Sequence, residues 1–205
     1  MIYCDYNATA PMPPEVIQAV MDVMHHGWAN SFSPHSLGRK AAVLVEEGRS
    51  AVADMIGVDP KQVRFTSGAT EANSWVLRSF QRHGLLYSSA VEHPSVLSYA
   101  NRTIPTNSDG VINTDELQKM IIEAKPALIS VMAANNETGV LQPIEVVSQI
   151  AKREKIPFHC DATQIFGKMS YPLPADFITR SGHRFGSPKG VGALIVNTEI
   201  EALLL

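Results

Sequence analysis

Val63-Arg64-Phe65-Thr66-Ser67-Gly68-Ala69-Thr70-Glu71 is the stretch on which the reading of the fold turns. Residues 63–66 read as a strand, and the chain then passes through small residues into a helix reaching about Arg82. That geometry aims backbone N–H groups and the positive end of the helix at one point, which suits a phosphate. No Gly-Lys-Ser/Thr follows, so this is not a Walker sequence. An ordinary strand-to-helix turn with Thr70 as its N-cap fits the same residues.

Outward from this stretch, short apolar runs alternate with longer amphipathic segments. That is the pattern of an α/β fold with a mostly parallel sheet covered by helices. Upstream, Pro13 and Pro14 open a helix to about His25, with Val16, Ile17, Val20 and Met24 on one side. Apolar spacing from Leu37 to Met55 predicts one long helix over 36–56, ended by Gly57. Downstream, strands are expected at 85–88, 128–132, 158–160, 177–179 and 193–196. Helices are expected at 94–101, 114–122 and 144–153, the middle one opened by a capping box of Asn113 and Glu116. No repeat, low-complexity tract or linker interrupts the 205 residues, so they read as one domain. Residues 199–205 read as the first turns of a helix, either docked on the sheet or cut short.

The bulk composition excludes several classes of function. Charged residues make up 18% and hydrophobic ones 45%, with a net charge of −3 and no basic stretch. Nucleic acid and anionic membrane are therefore not expected as partners. No apolar run reaches membrane-spanning length, and no secretory signal is visible after Met1, so a cytoplasmic protein is expected. Cys4 and Cys160 set no metal-ligand spacing and predict no disulfide scaffold.

Four further segments carry chemistry. In Val91-Glu92-His93-Pro94-Ser95, His93 lies between a strand and a helix start; its ring could stack on an aromatic cofactor and relay protons. Ala134-Asn135-Asn136-Glu137-Thr138-Gly139 follows a strand at the end where open α/β sheets bind ligands, though it also fits a plain turn. In His159-Cys160-Asp161-Ala162-Thr163-Gln164, Asp161 ends an apolar strand and needs a partner, which a protonated pyridine nitrogen would supply; helix capping is the alternative. Ser181-Gly182-His183-Arg184 joins hydroxyl and imidazole donors to a glycine-rich strand start ending at Gly192.

Taken in order, these segments resemble the class V aminotransferase-like family, and within it the cysteine desulfurases of the NifS and IscS type. The resemblance begins at Tyr3-Cys4-Asp5-Tyr6-Asn7-Ala8-Thr9-Ala10-Pro11, similar to the family's D-x-x-A-T-T/A-P. It continues through Asn30-Ser31-Phe32-Ser33-Pro34-His35-Ser36-Leu37-Gly38 and ends near Ser181-Gly182-His183-Arg184-Phe185-Gly186-Ser187-Pro188-Lys189-Gly190-Val191-Gly192. It implies the large domain of a pyridoxal 5'-phosphate (PLP)-dependent transferase of fold type I, with a seven-stranded, mixed but mostly parallel sheet and helices on both faces. Residues 1–205 would be that PLP-binding domain, without the C-terminal small domain. Carried over, Ala69 and Thr70 would bind the cofactor phosphate, helped by Ser181 and His183. His93 would stack on the pyridine ring, Asn136 and Gln164 would bond near its hydroxyl, and Asp161 would pair with its nitrogen.

The same resemblance implies L-cysteine as substrate, converted to L-alanine with sulfur passed to an enzyme cysteine. It also implies a homodimer, or a dimer with an intact homologue. Two departures bear on activity. Arg184 falls where the family has its Schiff-base lysine, and a guanidinium stays protonated where a lysine amine can attack an aldehyde. The family's nucleophilic cysteine and substrate-binding arginine lie in a C-terminal half that has no counterpart here, while Cys4 and Cys160 are expected to be buried small hydrophobes. Non-covalent cofactor binding and an inactive chain are the expectation. The alternative is a non-catalytic partner of an intact desulfurase or an iron–sulfur scaffold protein.

Overall fold

The computed structural model of the chain describes residues 2–169 and 173–196; the helix expected at 199–205 lies outside them. Two helices come first, α1 (Pro14–His26) and α2 (Ser36–Ile56), followed by strand β1 (Val63–Thr66) and helix α3 (Ala69–Phe80). Then come β2 (Leu86–Ser89), α4 (Pro94–Leu97), β3 (Arg102–Ile104), α5 (Thr114–Glu123) and β4 (Leu128–Ser130). The chain closes with α6 (Ile144–Glu154), β5 (Phe158–Asp161), β6 (Phe177–Ser181), a 3-10 turn (Gly182–Arg184) and β7 (Gly192–Val196).

Among the described residues seven strands form one sheet in the order β1-β7-β6-β5-β4-β2-β3. β2 through β6 pair in parallel, and β7 runs antiparallel to both β6 and β1. The carboxyl ends of β1, β2, β4, β5 and β6 therefore meet the amino end of β7 along one edge. Gly192 makes the junction, paired with Thr66 on one side and Ser181 on the other.

The period-two alternation of the strands sorts their side chains onto two faces. Leu86, Leu128, Phe177 and Leu194 join Ala72, Val76, Leu77 and Phe80 of α3 in one apolar cluster. Their neighbours Tyr87, Ile129, Ile178 and Ile195 pack with Leu117 of α5, Val147 and Ile150 of α6, and Ala53 of α2 in the other. Helices thus cover both faces, as expected. Caps set the helix ends: the His35 ring accepts the Gly38 N–H at the start of α2, and Gly57 ends it at φ 77°.

Several local expectations need correction. The helix expected at 94–101 stops at Leu97, and an edge strand, β3, follows. Asn101 diverts the chain there, because its N–H reaches the Leu86 carbonyl and its Oδ1 accepts the Leu86 N–H. With three residues of mixed polarity, β3 carries too little pattern to be read. The strand expected at 128–132 ends at Ser130, although Val131 and Ala133 still donate to His159 and Asp161. The capping box is half formed: Asn113 accepts the Glu116 N–H, but the Glu116 carboxylate turns to Lys119. Gly68, not Thr70, is the N-cap of α3. Cys160 is buried as expected, whereas Cys4 is exposed on a segment whose residues 2–7 are all exposed.

Helix α1 buries none of its residues, so its apolar stripe is uncovered. Met24 is 71% exposed, Trp28 73% and Phe32 95%. Apolar surface on this scale is uncommon on a monomeric protein.

Candidate cofactor site

The carboxyl edge of the sheet opens into a cavity of about 310 Å³. At one end is the start of α3. Gly68, at φ 156°, brings the chain out of β1, no side chain caps the helix, and Ala69 and Thr70 at its uncapped start line the cavity. The Glu71 carboxylate turns back to the Ser67 N–H at 2.6 Å, and that bond holds its pKa below the usual range. Arg184 and Lys189 line the same cavity, and with the open helix start they make it suited to an anion.

At the floor lies Asp161, the last residue of β5 and nearly buried. Its Oδ1 accepts the Thr163 N–H at 3.0 Å and its Oδ2 accepts from Asn73 Nδ2 at 2.8 Å. His93 stands at the end of β2, with Nδ1 accepting the Ser95 N–H at 3.1 Å. Asn136 enters from the loop after β4, and Gln164 from the turn after β5. Every residue singled out from the sequence lines this one cavity: Ala69, Thr70, His93, Asn136, Asp161, Gln164, Ser181, His183 and Arg184.

The N-terminal segment closes over the site, a role not legible in its sequence. Ala10 N–H donates to the His183 carbonyl at 2.9 Å, and Thr9 Oγ1 lies 3.1 Å from His183 Nδ1. The Arg184 guanidinium donates to the Asn7 carbonyl, and Lys168 reaches Asn7 Oδ1 at 3.0 Å and Gln164 Oε1 at 3.2 Å. Burial and then the charge of Arg184 lower the Lys168 pKa. His183 is lowered too, by burial first and then by Arg184 and Lys189. Two polar atoms at this end, Ser181 Oγ and Arg184 Nε, are buried with no hydrogen-bond partner. Orphans of this kind are rare, and because both residues line the cavity a bound ligand could supply the missing bonds. The residues present therefore fit a group with an anionic end near α3 and a nitrogen that pairs with Asp161.

Glu92 supports the site from beneath. Its Oε1 accepts from Ser89 Oγ and from the Met132 N–H, each at 2.6 Å, tying the ends of β2 and β4 together. Burial pushes its pKa from 4.5 up to about 8, with the Asp161 charge adding to the rise. A raised acid binds its proton more tightly in the folded state, so this contribution to stability is full below pH 4.5 and is lost as pH rises to about 8. His159, between Ser130 and Thr179, is lowered to about 4 by burial, and its contribution is lost instead as pH falls from 6.5. Between pH 6.5 and 8 the Glu92 slope therefore stands clear of that of His159. Urea unfolding across this window should show a loss of about 2 kcal/mol. Glu92→Gln should lose less than half as much, and equal slopes in the two proteins would refute the assignment.

Neither cysteine belongs to the cavity lining. Cys160 is fully buried on β5, and burial followed by the Asp161 and Glu92 charges raises its thiol pKa well above the ordinary value. Among the described residues no three His, Cys, Asp or Glu side chains gather as a metal site, and no helix is long and apolar enough to cross a membrane.

Comparison with known proteins places this geometry. The Aminotransferase class-V family model matches residues 2–204. The mitochondrial cysteine desulfurase of Candida maltosa is 36% identical over 213 residues, a match that covers 95% of this chain and 44% of that protein. The structure of a NifS-like protein from Rickettsia africae ESF-5 superposes with a TM-score of 0.89 at 34% identity, covering 96% of this chain and 58% of the other. A structure of SspA in complex with cysteine gives a TM-score of 0.92 at 30% identity, over 100% and 64%. The chain spans about half the length of the curated relatives it matches. Its sheet is that of the large domain of fold type I PLP-dependent enzymes. The chain belongs to the class V aminotransferase family, whose cofactor is PLP, and is a homologue of the NifS/IscS cysteine desulfurases.

Proposed function

We propose that this chain is the cofactor-holding large domain of a cysteine desulfurase-like protein, and that it binds PLP without a covalent link. The observation that carries this reading is the cavity itself, with the uncapped start of α3 at one end and Asp161 at its floor. When bound there, PLP supplies an electron sink for the α-carbon of an amino acid. The N–H groups of Ala69 and Thr70, with Ser181 and His183, would hold the phosphate. Asp161 would keep a proton on the ring nitrogen, His93 would stack on the ring, and Asn136 and Gln164 would bond near its hydroxyl. The Asn7–Thr9 segment excludes water from the rim.

Arg184 binds, but it cannot attack an aldehyde, because its guanidinium keeps its protons. With Cys160 buried and Cys4 outside the cavity, no thiol is placed to accept sulfur from L-cysteine. The chain by itself therefore yields no alanine from cysteine. Equilibrium dialysis should show saturable, one-to-one PLP binding that washes out and resists borohydride trapping. Asp161→Ala should weaken it about tenfold or more, as expected for a lost charge-assisted bond. Absence of saturable binding would overturn the reading.

A second reading has its own support in the uncovered faces of α1 and α2. It makes the chain one member of a dimer, with itself or with an intact homologue, or a partner of an iron–sulfur scaffold protein. Sedimentation at micromolar concentration should show self-association or a complex with a full-length homologue. A strictly monomeric chain that ignores both classes of partner rules it out.

A further inference from the structure

We propose that Asn73 is a positioning residue that acts through Ser95 to hold the His93 ring in place and to tie it to Asp161. The inference rests on the PLP reading of the cavity and deepens it, since Asn73 touches none of the cavity space itself.

Asn73 lies in the second turn of α3 and is fully buried, next to the apolar residues Ala72, Val76 and Leu77. An amide there needs a reason, because burying it without partners is costly. Its Nδ2 donates both protons, one to Asp161 Oδ2 at 2.8 Å and one to Ser95 Oγ at 3.0 Å. Its Oδ1 is buried with no partner. Flipping the amide would set Oδ1 against a carboxylate oxygen of Asp161, acceptor against acceptor, so the orientation is determined by its neighbours. The orphaned oxygen is the cost of aiming both protons at the site.

The consequence passes to His93. Ser95 Oγ accepts from Asn73, which leaves its own hydroxyl proton free for His93 Nδ1, 2.8 Å away. The Ser95 backbone N–H donates to the same nitrogen at 3.1 Å. A nitrogen that accepts from two donors carries no proton, so the neutral ring bears its hydrogen on Nε2. Asp161, Asn73, Ser95 and His93 form one chain of hydrogen bonds from the floor of the cavity to its wall. The ring that would lie on the cofactor and the carboxylate that would hold its nitrogen are thereby set by a single buried amide.

The test needs no loaded enzyme. Long-range proton–nitrogen NMR of the nitrogen-15-labelled full chain reads which ring nitrogen of His93 is protonated, assigned by comparison with His93→Gln. The parent should show the Nε2–H form alone. Asn73→Leu should keep that form but move the Nδ1 resonance downfield, because the Ser95 hydroxyl proton is no longer held toward it; Ser95→Ala, which removes that proton outright, should do the same and keeps the test open if Asn73→Leu does not fold. Parallel dialysis should show PLP dissociation constants raised about tenfold in both variants, the equivalent of one lost hydrogen bond. A parent ring protonated on Nδ1, or an Nδ1 resonance that neither variant moves, overturns the inference even where PLP binds the parent normally. A parent that binds no PLP but shows the Nδ1 shift in its variants overturns the cofactor reading and leaves the hydrogen-bond chain standing.

Discussion

Replacing Arg184 with lysine should convert reversible cofactor binding into attachment that borohydride makes permanent. Residue 184 ends the 3-10 turn after β6 and lines the same cavity as Asp161 and His93. A guanidinium there is permanently protonated and resonance-stabilised, so it has no free electron pair for an aldehyde carbon. A lysine amine can lose its proton, and this position would favour the loss. Lys168 and Lys189 lie nearby, and positive neighbours disfavour a further ammonium. The exchange gives up the Arg184 bond to the Asn7 carbonyl, a loss of about 1 kcal/mol. After incubation with PLP, borohydride reduction and dialysis, the parent should retain no cofactor. The Arg184→Lys chain should retain it on most molecules, mapped by peptide mass to residue 184. Retention on Lys189 in the parent would contradict the assignment of Arg184 as the disarming change. Retention in neither protein would mean that the cavity needs further chain to hold the cofactor. Neither protein should release sulfur from cysteine, because the attachment step restores no nucleophilic thiol.

Gly192→Ala should damage stability and cofactor binding together. A Cβ at Gly192 would stand 2.5 Å from Gly68 Cα, 2.7 Å from the Gly68 carbonyl carbon and 2.8 Å from the Arg180 carbonyl oxygen. All three are backbone atoms, so no side chain can swing aside. The pairing of Gly192 with Thr66 and Ser181 holds β7 in place on both sides, which leaves Gly68 to move. Gly68 is the N-cap of α3, and any shift there displaces the N–H groups that face the cavity. Overpacking of this kind costs about 3 kcal/mol, or about 6–12 °C in melting temperature for a chain of this size. PLP affinity should fall with it. Gly48→Ala is the control: it lies in the exposed middle of α2, a Cβ there meets nothing within 4 Å, and it should add about 0.5–1 kcal/mol. A Gly192→Ala chain that melts like the parent would show that β7 and Gly68 do not touch as described.

The two variants also mark the limits of what a linear reading reaches. Helix α2 was legible from end to end, because its apolar spacing is long and Gly57 ends it through a conformation that suits glycine. The strands buried on both faces were legible to within a residue or two, since each is a short apolar run between turn residues. The short edge strand β3 was not, because its start depends on the contacts of Asn101 with Leu86, fifteen positions away. Among the site residues, those at strand ends were found because polar side chains there break an apolar run. Asn73 was not found, because within α3 it reads as one more polar residue of an amphipathic helix; only packing turns it inward to Asp161. Thr9, Asn7 and Lys168 escaped for the same reason, as their role comes from a segment folding back across the sheet edge.

By itself, then, the sequence determined the class of fold, the order of its elements apart from β3, and the segments gathered at the site, since periodicity and strand-end chemistry are local properties. The tertiary structure alone decided the strand order and the reversed direction of β7. It likewise decided the contact between Gly192 and Gly68 and the hydrogen-bond chain from Asp161 to His93. Each of these depends on which distant segments share an edge of the sheet, and that is settled by packing the two faces together rather than by any one segment's own preference.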